Sequence, residues 1–292
     1  MPSNEKVGAT LNDVDAVTRY HEETKHRYDR QARSLGYMDW ANQPNPFRWY
    51  EGLTRLTLPF TGKDLGAAHM DLYRREDNPV RDFSLHNLSL FLELSLGLSA
   101  WKSAGGTKWA LRMNPSSGNL HPTEGYVVTL GNIAGDPGVF HYSPYLHALE
   151  PRALFSEKVC ARLTHHFPVD GFLFGLTSIF WREAWKYGER AFRYCNHDLG
   201  HAIAAAGFAA NLLGWKITYL RDASDEDVAA VLGLTQTTWI EGEAEHPEIL
   251  CYVHPSHAKD VPTNLPSELV SEIAGLPFHG RPNRLSEDHM DW

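Results

Sequence analysis

Apolar residues along the chain recur at helical spacing in some stretches and run without interruption in others. After Ser84, a residue type that favours N-caps, apolar side chains follow at helical spacing up to Trp101, which predicts a core-facing amphipathic helix. Short apolar runs next to residues typical of turns predict strands at 125–130, 138–142, 172–181, 215–219 and 249–254.

The remaining periodic stretches predict helices at 14–35, 152–166 and 225–232. The longest predicted helix runs from Lys186 to Leu213 and ends at Gly214, because glycine suits the C′ position that follows a helix. Six alanines and Gly207 lie along its middle. Small side chains of this kind allow a second helix to approach closely.

Residues 1–62 are predicted to form a helical and proline-rich arm. Prolines between residues 40 and 62 interrupt regular structure there. The same stretch carries four large aromatic side chains, those of Trp40, Phe47, Trp49 and Tyr50. Because such side chains are poorly accommodated in water, we expect the arm to lie along the body of the protein or along a partner subunit.

The composition is that of a globular protein, with 42% hydrophobic and 22% charged residues among 292. A net charge of −9 argues against a nucleic-acid partner. The apolar run at 85–101 is too short and too polar to cross a membrane. Three cysteines without C-x-x-C spacing, and a start without a secretory apolar region, favour a reducing compartment. We therefore expect a cytoplasmic protein.

Residues 114–126 are the densest run of turn-forming residues and lead directly into a predicted strand. Pro115 fixes φ, and Gly118 permits positive φ and the close approach of another molecule. The short polar side chains of the loop belong to Ser116, Ser117 and Asn119. Such a segment fits either an ordinary tight turn or a loop that wraps a flat, polar-edged ligand with its backbone amides.

Two sequence blocks resemble a known family. P-S-S-G-N-L-H-P-T-E-G-Y-V-V at 115–128, with Arg112 just before it, resembles the flavin-binding loop of the nitroreductase superfamily. W-K-Y-G-E-R at 185–190, followed by R-Y and D-L-G-H, resembles the K-Y-G-x-R…R-Y…G-H pattern of its SagB-type dehydrogenases, whose azoline-oxidising members convert thiazolines and oxazolines to thiazoles and oxazoles. The resemblance covers residues 81–292.

This resemblance implies an α+β nitroreductase-like fold for residues 63–292, with a mostly antiparallel sheet flanked by helices. It also implies FMN as the cofactor. Family members place the long helix at the centre of a dimer, so a homodimer or one half of a tandem pseudo-dimer is expected.

Roles for single residues follow from the same resemblance. Lys186 and Tyr187 match a pair implicated in removing a ring proton while hydride passes to flavin N5. The guanidinium groups expected at the FMN phosphate are those of Arg81, Arg112, Arg281 and Arg284. The residues expected around the ring are Pro115, Ser116, Ser117, Gly118 and Asn119 on one side and Gly214 and Trp215 on the other. For Trp215, a position in the core is an equal alternative.

The sequence departs from the family before Arg81. Asp77, Asn78 and Pro79 stand where nitroreductases carry R-R-S, and Arg74 and Arg75 would replace those arginines only if the loop were longer. This departure motivates the alternative that the domain has lost flavin.

Three functions are therefore open from the sequence. The first is two-electron dehydrogenation of a cyclised or small C–N substrate, either a small molecule or a modified peptide, by an FMN-dependent oxidoreductase of the SagB type. The second is NAD(P)H-dependent reduction of nitro or quinone compounds, and the third is a non-catalytic scaffold. His197 and His201 have helical spacing but lack an obvious third ligand, so no metal site is expected.

Overall fold

The computed structural model describes residues 5–34, 36–62, 66, 68–73, 78–131, 133–168 and 170–289; Arg74, Arg75 and Asp77 lie outside them. Its α-helices are α1 (Glu5–Thr24), α2 (Leu85–Ser95), α3 (Glu157–His166), α4 (Phe180–Tyr187), α5 (Ala191–Leu212), α6 (Asp225–Val231) and α7 (Ser267–Ala274). Its strands are β1 (Tyr50–Glu51), β2 (Leu56–Thr57), β3 (Leu98–Ala104), β4 (Thr107–Arg112), β5 (Thr123–Thr129), β6 (Gly138–Ser143), β7 (Ala148–Leu154), β8 (Phe172–Ser178), β9 (Trp215–Tyr219), β10 (His246–Pro255) and β11 (Arg281–Pro282). None of the described helices is long and apolar enough to cross a membrane.

Seven of the described strands form one sheet in the order β2-β7-β6-β5-β8-β10-β9. All of its neighbouring strands pair antiparallel, which confirms the predicted α+β fold with a mostly antiparallel sheet. β5 lies at the centre, where Tyr126 faces His141 of β6 and Gly175 of β8. Every residue of β5 is buried, since helices cover both faces of the sheet.

The two faces of the sheet carry separate apolar clusters. On one face α2 and α5 pack against the strands, with Phe91 and Ala206 in the shared core. On the other face α3, α6 and α7 contribute Leu163, Val231 and Ile273. Successive side chains of a strand point to opposite faces, so each central strand serves both clusters. In this arrangement α5 contacts β5, β8 and β9 of the sheet.

The prediction of a single helix from Lys186 to Leu213 is wrong, because the chain breaks at Gly188 into α4 and α5. Gly188 has φ 53° and ψ −127°, a conformation that is costly for any residue with a Cβ. Lys186 and Tyr187 therefore end α4 instead of beginning the long helix. At the far end of α5, Gly214 has φ 69°, and this agrees with the predicted C′ position.

Four further element predictions need correction. The strand predicted at 172–181 ends at Ser178, and α4 begins at Phe180. The helix that Ser84 caps ends at Ser95, and Trp101 lies in the β3–β4 hairpin. Residues 152–154 belong to β7, so α3 begins only at Glu157. The first helix ends at Thr24 rather than near residue 35. In each case apolar spacing indicated the element but not its limit, because capping and tertiary pairing decide where a helix stops.

The aromatic part of the arm packs on the body as expected, with one exception. Tyr50 is fully buried, and its hydroxyl lies 2.8 Å from the Tyr126 hydroxyl on the central strand. Phe47 is also buried, whereas Trp40 is 68% exposed. Strand β1 pairs with β11, which ties the arm to the last part of the chain. A domain boundary near residue 62 stays a prediction.

Candidate active site

The two sequence blocks meet at Gly118. This glycine has φ 62°, and a Cβ placed on it would lie 2.7 Å from the Tyr187 hydroxyl oxygen and 3.0 Å from Lys186 Nζ. A side chain at position 118 would therefore collide with both. The loop at 114–126 and the end of α4 together form one small surface that carries an amine and a phenol.

The two side chains above Gly118 differ in their surroundings. Lys186 is exposed, whereas Tyr187 is half-buried and packs against Tyr194 with ring centroids 4.2 Å apart. Burial and the neighbouring Glu183 carboxyl raise the pKa of Tyr187 to about 12. Near neutral pH the phenol therefore keeps its proton and serves as a hydrogen-bond donor.

The serines of the loop point inward to a buried carboxylate. The Ser116 hydroxyl donates to Asp198 at 2.7 Å, the Ser117 hydroxyl at 3.0 Å and the Ser117 amide at 2.9 Å. Asp198 lies on α5 and is fully buried. These donors hold the loop on the helix, so the Ser117 amide is already bonded within the protein.

Asn119 is also used to shape the loop. Its side-chain amide donates to the Ala110 carbonyl at 2.8 Å, and its oxygen lies 3.0 Å from the His121 Nε2 atom. Pro115 and Gly118 remain exposed beside it. The outward surface of the loop is thus formed by these two residues rather than by its polar side chains.

Glu183 lies directly behind the loop, on the turn of α4 that precedes Lys186. It is fully buried, and neither carboxyl oxygen accepts a hydrogen bond from the described residues. Burial, reinforced by the neighbouring Asp198 carboxyl, raises the pKa of Glu183 to about 9. Near neutral pH Glu183 is therefore a neutral acid that can donate to Asp198.

A buried ionic cluster supports the strand that follows the loop. Arg182 donates to the His121 carbonyl at 2.7 Å and pairs with Glu124. Burial alone would raise the pKa of Glu124, but Arg182 and a hydrogen bond from His141 hold it at about 2. Burial would lower the pKa of His141, yet Glu124 and Glu150 raise it to about 9. The cluster therefore retains its charges near neutral pH.

Arg112 belongs to this cluster rather than to the surface. Its side chain is almost fully buried, donates to the carbonyls of Pro46 and Thr123, and lies 4.0 Å from Glu124. Burial lowers the pKa of its guanidinium to about 10, which leaves it charged. These contacts favour a structural role for Arg112 over the predicted contact with a phosphate.

Arg81, Gly214 and Trp215 lie at the other end of α5. Trp215 is buried, and its indole donates to the Arg81 carbonyl at 2.8 Å. The Arg81 amide donates to the Leu213 carbonyl, fifteen positions beyond Asp198. At 1.5 Å per residue this is roughly 22 Å along the helix axis. The structure thus separates these three residues from Gly118.

The two arginines near the chain end have different surroundings. Arg281 is highly exposed and pairs with Glu51 at 3.0 Å. Arg284 is exposed next to Leu285, which packs in one cluster with Leu120 of the loop and Trp185 of α4. Of these two arginines, Arg284 is therefore the one whose neighbour in the chain packs against the loop.

Comparison with solved structures identifies the architecture. A protein from Anabaena variabilis assigned as a nitroreductase superposes on 87% of this chain with a TM-score of 0.61 and 24% identity. The chain has the nitroreductase fold. A second such protein, from Ralstonia eutropha, matches 75% of the chain with a TM-score of 0.50 and 15% identity.

Sequence comparison adds one curated relative of this nitroreductase-fold chain. Trifolitoxin-processing protein TfxB from Rhizobium leguminosarum bv. trifolii is 29% identical over 188 residues, which are 61% of this chain and 50% of TfxB. The chain likewise covers 53% of the Anabaena protein, so it spans about half the length of both. No protein-family model matches the chain.

Two residues of this nitroreductase-fold site were not predicted as such. Asp198 appears within the D-L-G-H block, and its sequence gives no sign that it receives the loop serines. Glu183 carries no motif at all, and its buried position depends on how α4 packs on α5. Across the part of the chain that the structure describes, no group of three or more His, Cys, Asp or Glu side chains is placed to hold a metal ion.

Proposed function

We propose that this chain is an FMN-dependent oxidoreductase of the SagB type that dehydrogenates a cyclised residue in a modified peptide. The observation that carries the proposal is the meeting of Lys186 and Tyr187 over Gly118, where the two family-like blocks form one surface. The similarity to TfxB, a processing protein, supports a substrate that is modified after synthesis.

The loop surface fits a flat ring system. Gly118 leaves no side chain on the exposed face, and a Cβ there would fill the space next to Lys186 and Tyr187. The serine hydroxyls and the Ser117 amide are bonded to Asp198, so contacts to the edge of a ring fall to other atoms of the loop, to Lys186 and to Tyr187. FMN supplies the two-electron oxidising power when bound.

The side chains of the chain itself supply the proton chemistry. Lys186 accepts the ring proton of the substrate, as a general base does. Tyr187 holds its own proton near neutral pH and donates a hydrogen bond from its hydroxyl. Its packing against Tyr194 limits the movement of the ring and thereby orients that hydroxyl.

The separation of Arg81 from Gly118 favours a site shared between two copies. Roughly 22 Å along α5 is more than one FMN spans from ring to phosphate, so one copy would supply the loop and the other Arg81. The Arg81 side chain makes no hydrogen bond or ion pair among the described residues. The exposed residues of α5 between the two ends are mostly small and apolar, with one histidine among them: Gly200, His201, Ile203, Ala204, Gly207 and Phe208. A homodimer or a tandem pseudo-dimer would bury this face.

Flavin uptake and one substitution test the proposal. The purified chain is expected to bind FMN and to oxidise a synthetic thiazoline peptide. Lys186→Ala should lower that rate by roughly 10²- to 10⁴-fold because the base is lost. Lys158→Ala, on the exposed side of α3, is the matched control and should leave the rate unchanged.

Each alternative function predicts a different outcome. A chain that binds no added FMN acts as a scaffold. A chain that binds FMN and reduces nitro or quinone compounds with NAD(P)H equally well with and without Lys186 is a reductase. Either result would overturn the dehydrogenase proposal.

A further inference from the structure

Three hydrogen-bond donors of the loop converge on the carboxylate of Asp198. Two hydroxyls and one amide from Ser116 and Ser117 point at its carboxylate, with distances of 2.7 to 3.1 Å. Donors arranged in this way fit the ionised form of Asp198, because a carboxylate accepts at both oxygens. The loop is therefore held through one buried negative charge.

A second carboxyl faces this charge. Glu183 is fully buried, and its carboxyl group lies next to the carboxylate of Asp198. Neither of its oxygens has a hydrogen-bond partner among the donors of the described structure. Two ionised carboxylates cannot bond to each other, whereas a single proton between them satisfies both.

We propose that Glu183 carries this proton, donates it as a hydrogen bond to Asp198 and thereby positions the Ser116–Ser117 segment beneath Lys186 and Tyr187. Glu183 is then a positioning residue that acts through Asp198 and the serines. Its link to catalysis rests on the proposed function, whereas the protonated pair itself does not.

The other charged groups near Glu183 leave it in the neutral form. Arg182, which is paired with Glu124, and Lys186, which lies over Gly118, both lower the pKa of Glu183, but burial and the Asp198 carboxyl raise it by more. The titratable and charged groups that surround the pair are Arg182, Lys186 and Tyr187 on α4 and Cys195 and His201 on α5, with Glu248 of β10 beyond Cys195. The Nδ1 atom of His201 lies 3.7 Å from the Asp198 carboxylate. Burial raises the pKa of Cys195 as well, so the thiol adds no negative charge.

The pH dependence of thermal stability tests whether Glu183 is protonated in the folded chain. The folded pKa of Glu183 is about 9, above its ordinary value of 4.5. Its stabilising contribution is therefore complete below about pH 4.5 and declines as the pH rises towards 9. Glu183→Gln donates at every pH, so its Tm should exceed that of the wild-type chain by about 5 °C near pH 8 and by less than about 2 °C near pH 5.

Glu226→Gln is the matched control, because Glu226 is an exposed carboxyl on α6. Its Tm should follow the wild-type curve at both pH values. A Glu183→Gln curve parallel to the wild-type curve would show that Glu183 is ionised in the folded chain and would overturn the proposal.

Two further measurements keep the proposal testable if that variant folds poorly. Infrared spectra of the wild-type chain with isotope-labelled glutamate should contain a shifted protonated-carboxyl band near pH 7, and the absence of that band would contradict the proposal. Hydrogen exchange of the Ser117 amide should accelerate about tenfold or more in Glu183→Ala and stay slow in Glu183→Gln. Equal acceleration of exchange in both variants would show that the loop does not depend on a hydrogen bond donated by residue 183, and would contradict the proposal.

None of these measurements needs flavin or substrate. The protonated pair can therefore fail while FMN binding and the thiazoline assay succeed, and the reverse also holds.

Discussion

The two ends of α5 are built by different physical means. At the Asp198 end, buried hydrogen bonds and charges hold a loop whose outer surface carries Lys186 and Tyr187. At the Gly214 end, packed rings and backbone contacts hold the segment around Arg81. Each end therefore presents a basic side chain, Lys186 on a polar support at one end and Arg81 on an apolar support at the other.

One glycine at each end shows the contrast. Both have positive φ, but a Cβ on Gly118 would meet the flexible tips of Lys186 and Tyr187, whereas a Cβ on Gly214 would meet the Pro79 carbonyl at 2.7 Å. Side-chain tips can move and backbone cannot. The first glycine therefore leaves room for Lys186 and Tyr187, and the second is required by the fold.

The largest expected effect is complementation between the two ends. Lys186→Ala and Arg81→Ala chains should each be nearly inactive with the thiazoline peptide. Mixed by subunit exchange, they should recover about a quarter of the wild-type activity, because half of the dimers carry one intact shared site.

Two variants at the same end provide the control for this experiment. Lys186→Ala mixed with Tyr187→Ala leaves a lesion in every site and should recover nothing. Absence of recovery in the opposite-end mixture as well would show that the site is not shared between copies.

The next effect is on folding. Trp215→Ala removes a buried indole that stacks on Phe83 with ring centroids 4.4 Å apart, so it should lower the free energy of unfolding by about 3–5 kcal/mol. Tyr187→Ala removes a half-buried ring and should cost about 1–2 kcal/mol. Urea denaturation measures both values. Equal losses would mean that the two ends contribute equally to stability.

The glycines come third. Gly214→Ala should lower the free energy of unfolding by about 2 kcal/mol or more, since positive φ and the Pro79 backbone both oppose a methyl group. Gly118→Ala should cost about 1 kcal/mol, mostly from its φ, and displace Lys186 and Tyr187. Thiazoline oxidation should therefore fall in Gly118→Ala, although its urea midpoint changes little. A larger loss of stability in Gly118→Ala than in Gly214→Ala would contradict the idea that a methyl group is opposed more strongly by backbone than by side-chain tips.

The sequence predicted features that depend on a few neighbouring residues. Gly214 was recognisable because glycine is the usual C′ residue, and the Ser84 cap is confirmed by its bond from the Asn87 amide. The central strand β5 was visible as an apolar run. Local chemistry fixes these features, so a single sequence is enough.

Features that depend on long-range packing were not predictable in this way. The break at Gly188 lies within a run that is compatible with a helix, and only the packing of α4 against α5 selects it. Arg112 suits a phosphate or a buried carboxylate equally well until Glu124 is placed beside it. Glu183 has no motif, because its role depends on Asp198, fifteen residues away in sequence.

The smallest expected effect is the coupling between the two ends. Gly118 and Gly214 share no neighbours, and α5 separates them by roughly 20 Å or more. The stability losses of Gly118→Ala and Gly214→Ala should therefore add to within about 0.5 kcal/mol in the double variant without FMN. A coupling energy above about 1 kcal/mol in urea denaturation would mean that α5 transmits strain from one end to the other. With FMN present, the two losses should not add. Either substitution alone abolishes FMN binding at a shared site, so the stabilisation by FMN is lost only once in the double variant.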